Sequence, residues 1–245
     1  MSQQNRANNI STYIVLFFSV WIMIGWQAKI LAFVQFYPGM IAMVFNTALC
    51  FFMSALGILA LQSQFGFVRQ WVSPLLGMGI IVLSGVVLTQ NLLNIDLHVD
   101  TLFSEAWLKD PSPKPGRMAP NTCLNFIAAG LILLLFPAIH HRRIAIIVQV
   151  LIFVILFIGI LSLAGYGLKL ELIYNWYVFP RMAVHTAIGM ILLSIGFLSV
   201  WVNHKAYQGF YESREDKKII FLSSGLLLTA AFTAGLAVFC DIFSL

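Results

Sequence analysis

Polar residues that could bind a ligand recur at one spacing in three otherwise apolar segments. Asn46–Thr47, Asn121–Thr122 and His185–Thr186 each follow a Met at the third and fourth positions, in the pattern Met-x-x-(Asn/His)-Thr-(Ala/Cys)-(Leu/Ile). Such side chains need hydrogen-bond partners in an apolar environment. His185 is the sharpest candidate, because a buried ionisable residue in a membrane is a functional hypothesis by default.

Two interpretations of these polar pairs stay open. They could bond across neighbouring helices and only stabilise packing, as Asn and Thr often do in membranes. Alternatively, they could converge around a pseudo-threefold axis and form a polar pocket that opens outward. Arg117 and Arg181, which directly precede Met118 and Met182, are then either ordinary flanking charges or anion contacts at the rim of that pocket.

The elements that must position these residues are membrane helices. The chain is 60% hydrophobic and 9% charged, whereas soluble domains carry about 25% charged residues. Seven apolar runs reach the ~20 residues that a span needs, which predicts an all-α, polytopic membrane protein with seven transmembrane helices in a single domain over residues 1–245. The predicted helices are 12–34, 40–62, 69–94, 118–139, 143–167, 180–202 and 218–243.

The three motifs divide the chain into similar units. Each unit is a helix hairpin, at about 12–62, 69–139 and 143–203, and the helix 218–243 stands alone at the end. Recurrence of this kind is typical of duplicated supersecondary units. In the longest connection, 95–117, we expect an ordered loop with a short interfacial helix around Thr101 to Leu108.

Charge placement predicts the topology. The very short turn at 140–143 is HHRR, and short basic loops stay on the cytoplasmic side. The N-terminus is therefore expected in the cytoplasm, and seven crossings place Leu245 outside. All three motifs then lie near the outer surface.

Several functional classes are disfavoured. The net charge of +5 is scattered at helix ends rather than gathered in a stripe, so nucleic acid is not an expected partner. The three cysteines lie in apolar runs, where they act as packing residues; they are Cys50, Cys123 and Cys240. No paired intramembrane carboxylates and no nucleophile with a base appear, so no enzyme activity is expected.

Cofactor and metal chemistry is also disfavoured. The last predicted helix contains no lysine for a retinal Schiff base, and His185 is the one histidine well inside a predicted span, which argues against bis-histidine haem ligation. A metal site formed by Asp96, His98, Asp100 and His185 is conceivable, but a solvated acidic loop is the preferred interpretation. No cofactor is expected.

Several segments resemble the N-terminal membrane regions of bacterial signalling proteins, in which a multi-helix sensor precedes PAS, histidine kinase or GGDEF diguanylate cyclase modules. The segments are PGRMAPNTCLNF at 115–126, PRMAVHTAIGMILLSIGFL at 180–198, NLLNIDLHVDTLF at 91–103 and LAGYGLKLELIY at 163–174. The resemblance implies a sensory input module of the bacterial inner membrane, surrounded by lipid. It also implies a homodimer formed through the parent signalling protein.

No output motif is present in the sequence, so the chain is expected to be either the sensor region of a longer protein or a stand-alone relative. The expected ligand is a small molecule from the outer side, or a lipid-soluble one held in the bundle. The alternative function is a small-molecule transporter or channel-like protein. Two-helix repeats insert in the same orientation, however, whereas inverted repeats are the usual transporter signature.

Overall fold

The computed structural model describes residues 9–35, 37, 39–105, 107–108, 111–168 and 182–204. These residues are helical or irregular, and none of them forms a strand. The all-α prediction is therefore confirmed for this part of the chain. The predicted last helix at 218–243, together with Arg181 and Cys240, lies outside the described residues.

Seven helices, one of them a single turn, make up the described residues. They are α1 (Ile10–Gln27), α2 (Leu31–Val34), α3 (Phe45–Leu61), α4 (Ser73–Leu93), α5 (Pro120–Leu135), α6 (Arg142–Leu168) and α7 (Val184–Asn203). A π-helical turn at Val68–Val72 leads into α4, and a 3₁₀ turn at Phe136–Ala138 extends α5. Pro120 suits the first position of α5, because the N–H that proline lacks would have no partner within the helix.

Five of these helices are long and apolar enough to cross a membrane. They are Ile10–Gln27, Val68–Leu93, Pro120–Ala138, Arg142–Tyr166 and Val184–Asn203. The apolar helix α3 has 17 residues, the shortest length that usually spans a bilayer. The described part of the chain thus has the helices of a membrane protein, with fewer long spans than the seven predicted.

The first predicted helix, 12–34, is wrong as a single element. It breaks after Gln27 and resumes as the single turn α2. Lys29, at the break, has a φ of +55°, in the left-handed region that a helix cannot continue through. The chain then folds back so tightly that a methyl group at Gly25 would lie 2.5 Å from Cβ of Phe33, which only glycine permits.

Two further boundaries differ from the prediction. The predicted helix 40–62 begins only at Phe45, after an irregular approach. The interfacial helix expected around Thr101 to Leu108 is wrong, because the described residues of that stretch form turns, bends and irregular backbone. Side chains bond the loop backbone instead: Gln90 Oε1 accepts from the Leu97 N–H at 3.0 Å, and Asn46 Nδ2 donates to the Val99 carbonyl at 3.0 Å.

The helices pair as three hairpins that close into a ring. The most extensive packing is within the pairs α1–α3, α4–α5 and α6–α7, and the contacts α3–α4, α5–α6 and α1–α7 join one pair to the next. The second helix of a pair is more deeply buried: 61% of the span is buried in both α5 and α7, against 33%, 28% and 39% in α1, α4 and α6. Helices α3, α5 and α7 therefore form the interior, and α1, α4 and α6 surround them.

Candidate functional site

The three motifs begin the three inner helices in the same way. In each, the Met is 1% exposed, the next residue is extended, and the helix begins at the second residue after the Met. The extended residues are Val44, Ala119 and Ala183, with φ of −76°, −67° and −70° and ψ of 155°, 147° and 151°. The Asn/His-Thr pair therefore lies in the first helical turn each time.

Each motif is also tied to the outer helix of its own hairpin. A side chain within the last three residues of that helix donates a hydrogen bond to the carbonyl of the motif Met. The three bonds are Trp26 Nε1 to Met43 O at 2.7 Å, Asn91 Nδ2 to Met118 O at 2.9 Å, and Tyr166 Oη to Met182 O at 2.5 Å. These donors could not be found from the sequence, because three different residue types make the same hydrogen bond and no common residue identifies the position.

The structure brings the three threonines of the motifs together. Thr47, Thr122 and Thr186 line one cavity with the residues that precede the inner helices. We call this place the motif junction. The volume that the centre of a water molecule can occupy in this cavity is about 10 Å³. This is close to the least that one water molecule requires. The junction is thus polar and shared by all three hairpins, but it is far smaller than the roughly 300–1,000 Å³ of small-molecule pockets.

The residues that precede these threonines are engaged separately. Asn46 bonds the Val99 carbonyl, and Asn121 Oδ1 accepts from the Thr122 N–H at 2.9 Å. His185 Nε2 accepts from the Met43 N–H at 3.0 Å. These contacts match the packing interpretation in part, and a ligand-binding role of these residues stays a prediction.

A group of charges in the loop between α4 and α5 reaches the junction, because Arg117 is one of the residues that line it. Arg117, whose side chain is 8% exposed, bonds Asp100 at 2.6 Å and Asp96 at 3.3 Å. Gln90 also donates to Asp100, at 2.9 Å. The charge of Arg117 is therefore already compensated by two carboxylates, which leaves less of it for a ligand anion.

The pKa values of the two carboxylates are shifted in opposite directions. Burial raises the pKa of Asp100, although the neighbouring Arg117 acts in the opposite direction. The pKa of the exposed Asp96 is lowered, chiefly by the hydrogen bond from the backbone N–H of His98. Asp96 and His98 pair at 3.3 Å, while His185 is bonded to Met43. Within the described residues, no three histidine, cysteine or acidic side chains are placed to hold a metal ion.

A comparison with protein-family models finds no match, and neither do comparisons with curated proteins and with solved structures.

Proposed function

We propose that this chain is the sensory input module of a bacterial signal-transduction protein, embedded in the inner membrane with its N-terminus in the cytoplasm. The resemblance of its motif segments to such sensor regions supports this role. In the same proposal, the three hairpins are duplicated units, a seventh span follows at 218–243, and the protein acts as a homodimer through its parent. The module itself is neither an enzyme nor a cofactor protein.

The observation that carries the proposal is the motif junction. Three segments far apart in the sequence begin three inner helices around one small cavity, and each is bonded to its outer helix through a Met carbonyl. A change at this point therefore reaches all three hairpins at once. A ligand that binds one packing of the junction more tightly than another shifts the population toward that packing.

Three buried side chains of the inner helices carry polar atoms without hydrogen-bond partners among the described residues. Asn46 Oδ1, His185 Nδ1 and both polar atoms of the Asn125 amide are buried and have no hydrogen-bond partner among the described residues. Each such group costs about 1–3 kcal/mol. A ligand or a change in packing that supplies hydrogen-bond partners recovers part of this energy. The ligand then binds one packing more tightly than the other, as a switch requires.

The test compares sensing with transport, the rival function. A strain that carries the triple variant Asn46→Ala, Asn121→Ala and His185→Ala should show the same change in transcript profile as a deletion strain, with membrane levels and thermal stability of the variant close to wild type. The control is Asn203→Ala, at the opposite end of α7, where the side chain is exposed and bonds only its own helix; it should behave as wild type.

Two results would count against the sensory role. One is a triple variant that supports the wild-type profile. The other is saturable solute uptake by the purified protein in liposomes, which would make the chain a transporter.

A further inference from the structure

The three hairpins turn backbone donors toward the motif junction and backbone acceptors away from it. The carbonyl of each motif Met points at its outer helix, where Trp26, Asn91 or Tyr166 donates to it. All peptide bonds of the described residues are trans, and a trans peptide directs its C=O and the N–H of the next residue to opposite sides. The N–H groups that follow the Met carbonyls therefore point away from the outer helices. They belong to Val44, Ala119 and Ala183, which line the cavity.

These three N–H groups have no hydrogen-bond partner among the described residues. The same holds for the hydroxyls of Thr47, Thr122 and Thr186. The three threonines are only 1–3% exposed. Their oxygens nevertheless keep contact with the space of the cavity, in contrast to the fully enclosed Nδ1 of His185. Six groups that can donate a hydrogen bond thus surround one small space.

The inner helices add a positive electrostatic potential at the same place. None of α3, α5 and α7 has a side-chain cap at its first turn, and the N-terminus of each helix carries the equivalent of about half a positive charge. Arg117 is the one charged residue among the described residues that line the cavity, because its partners Asp96 and Asp100 do not line it. Free N–H groups and a positive potential at helix N-termini are the features that bind anions.

The size of the junction restricts the anion to a single atom. The volume of about 10 Å³ for the centre of a water molecule admits one small sphere, so a halide ion fits and a phosphate or a carboxylate does not. A water molecule also fits by size, but it must donate hydrogen bonds as well as accept them. The three Met carbonyls beside the cavity are already bonded to the outer helices, which favours the anion.

We propose that the motif junction binds one halide ion, with chloride as the natural ligand, through the N–H groups of Val44, Ala119 and Ala183 and the three threonine hydroxyls. The ion links the three hairpins, since each of them supplies one N–H and one hydroxyl. This inference deepens the proposed sensory function and rests on it for its consequence, because it names the class of ligand at the same site. The binding is measurable by itself.

The test follows thermal unfolding of the full chain in dodecyl maltoside micelles by tryptophan fluorescence. Sodium gluconate is replaced stepwise by sodium chloride or sodium bromide at constant ionic strength. A ligand that binds the folded state alone stabilises it once its concentration exceeds the Kd. We expect the melting temperature to rise with the concentration of either halide, and the concentration at which the rise begins gives the affinity.

Thr186→Val keeps the shape of the side chain and removes its hydroxyl. It should weaken halide affinity at least about tenfold, as loss of one hydrogen bond to a charged group does. In gluconate the same variant should melt at the wild-type temperature or above it, because the hydroxyl that it removes has no partner there. A hydroxyl that only stabilises helix packing would instead make the variant melt at a lower temperature in both salts, which would contradict the proposal.

The equivalent variants Thr47→Val and Thr122→Val repeat the measurement if Thr186→Val folds poorly. The matched control is Thr89→Val, at an exposed threonine whose hydroxyl bonds the Gly85 carbonyl of its own helix; it should keep the halide dependence of the wild type. Crystals grown in sodium bromide locate the ion directly, through an anomalous difference peak between the three threonines.

Three results would overturn the proposal. They are a melting temperature that does not respond to the exchange of gluconate for halide, an equal response of the wild type and all three threonine variants, and bromide that is found only elsewhere in the chain. The first result would also mean that the cavity holds water.

The outcome separates the anion site from the sensory role. Halide binding that is lost in Thr186→Val without any effect on the transcript profile leaves the site intact and refutes its part in sensing. A transcript profile that changes in the triple variant Asn46→Ala, Asn121→Ala and His185→Ala, together with no halide binding by the wild type, refutes the site and leaves sensing intact.

Discussion

Replacement of Gly77 by Ala tests whether the second hairpin is held by direct backbone contact. A Cβ at Gly77 would lie 2.6 Å from the carbonyl oxygen of Gly130, 3.0 Å from Cβ of Leu133 and 3.2 Å from N of Leu134. Ordinary contacts between such carbon and oxygen atoms are about 3.3–3.6 Å. Helices α4 and α5 would therefore separate by roughly 0.7–1 Å, and each pair of atoms drawn apart by that distance forfeits about a quarter to a half of its dispersion energy.

We expect Gly77→Ala to lower the free energy of unfolding by about 1–3 kcal/mol, the usual cost of overpacking. Gly85→Ala is the matched control in the same helix, because no atom lies within 4 Å of the Cβ that it adds. The control should be neutral or stabilising by up to about 1 kcal/mol through helix propensity. The assay is reversible unfolding in mixed micelles of dodecyl maltoside and sodium dodecyl sulfate. Equal stability of the two variants would refute close backbone packing of α4 on α5.

Three further predictions concern the loop charges and the Met carbonyls. Arg117→Met leaves Asp100 buried without its cation and should cost about 3–5 kcal/mol in the same assay, whereas Lys114→Met, at an exposed lysine, should cost below about 1 kcal/mol. Burial raises the pKa of Asp100, so its contribution to the free energy of unfolding is present below its ordinary pKa and is lost as the pH rises through the folded value. The pKa of Asp96 is lowered, so its contribution is present above its ordinary pKa and is lost as the pH falls through the folded value. As the pH is lowered from about 6 to 3, the melting temperature of Asp100→Asn should fall relative to wild type, and that of Asp96→Asn should rise relative to wild type. Parallel curves of melting temperature against pH for the three proteins would contradict this assignment. Tyr166→Phe removes the bond to the Met182 carbonyl and should cost about 0.6 kcal/mol, at most about 1.7, while Tyr13→Phe on the exposed side of α1 should change nothing measurable.

Helix position could be predicted from the sequence wherever hydropathy alone decides it. Of the predicted helices that the structure describes, 69–94, 118–139 and 143–167 agree with Val68–Leu93, Pro120–Ala138 and Arg142–Leu168 to within about two residues at each end. The break after Gln27 could not be predicted in this way. It depends on the contact of Gly25 with Phe33, a packing event that leaves the apolar composition of the segment unchanged.

The convergence of the motifs was predictable in outline, but its chemistry was not. Equal spacing in three helices of one orientation places Thr47, Thr122 and Thr186 at one level, and the structure brings them to one cavity. The repeated sequence motif does not show with which neighbour each side chain forms a hydrogen bond. Asn46 bonds a loop carbonyl, Asn121 its own helix and His185 the Met43 N–H, because three different loops lead to the three motifs.

The positions at which the three hairpins differ are the candidates for a function that is specific to one of them. The three hairpins share the Met, the extended residue and the helix start, so these features serve the common scaffold. The first hairpin differs by its broken outer helix, and the third by a histidine where the others have asparagine. These two differences meet at the seam of α1 and α7, since Phe33 from the broken segment and His185 line the same pocket. If this coincidence had no function, His185→Asn, which restores the residue of the other two motifs, would leave signalling unchanged. We expect it instead to change the transcript profile with no loss of folding, because the Asn side chain can still accept the Met43 N–H but lacks the ring that lines the pocket and contacts Phe18.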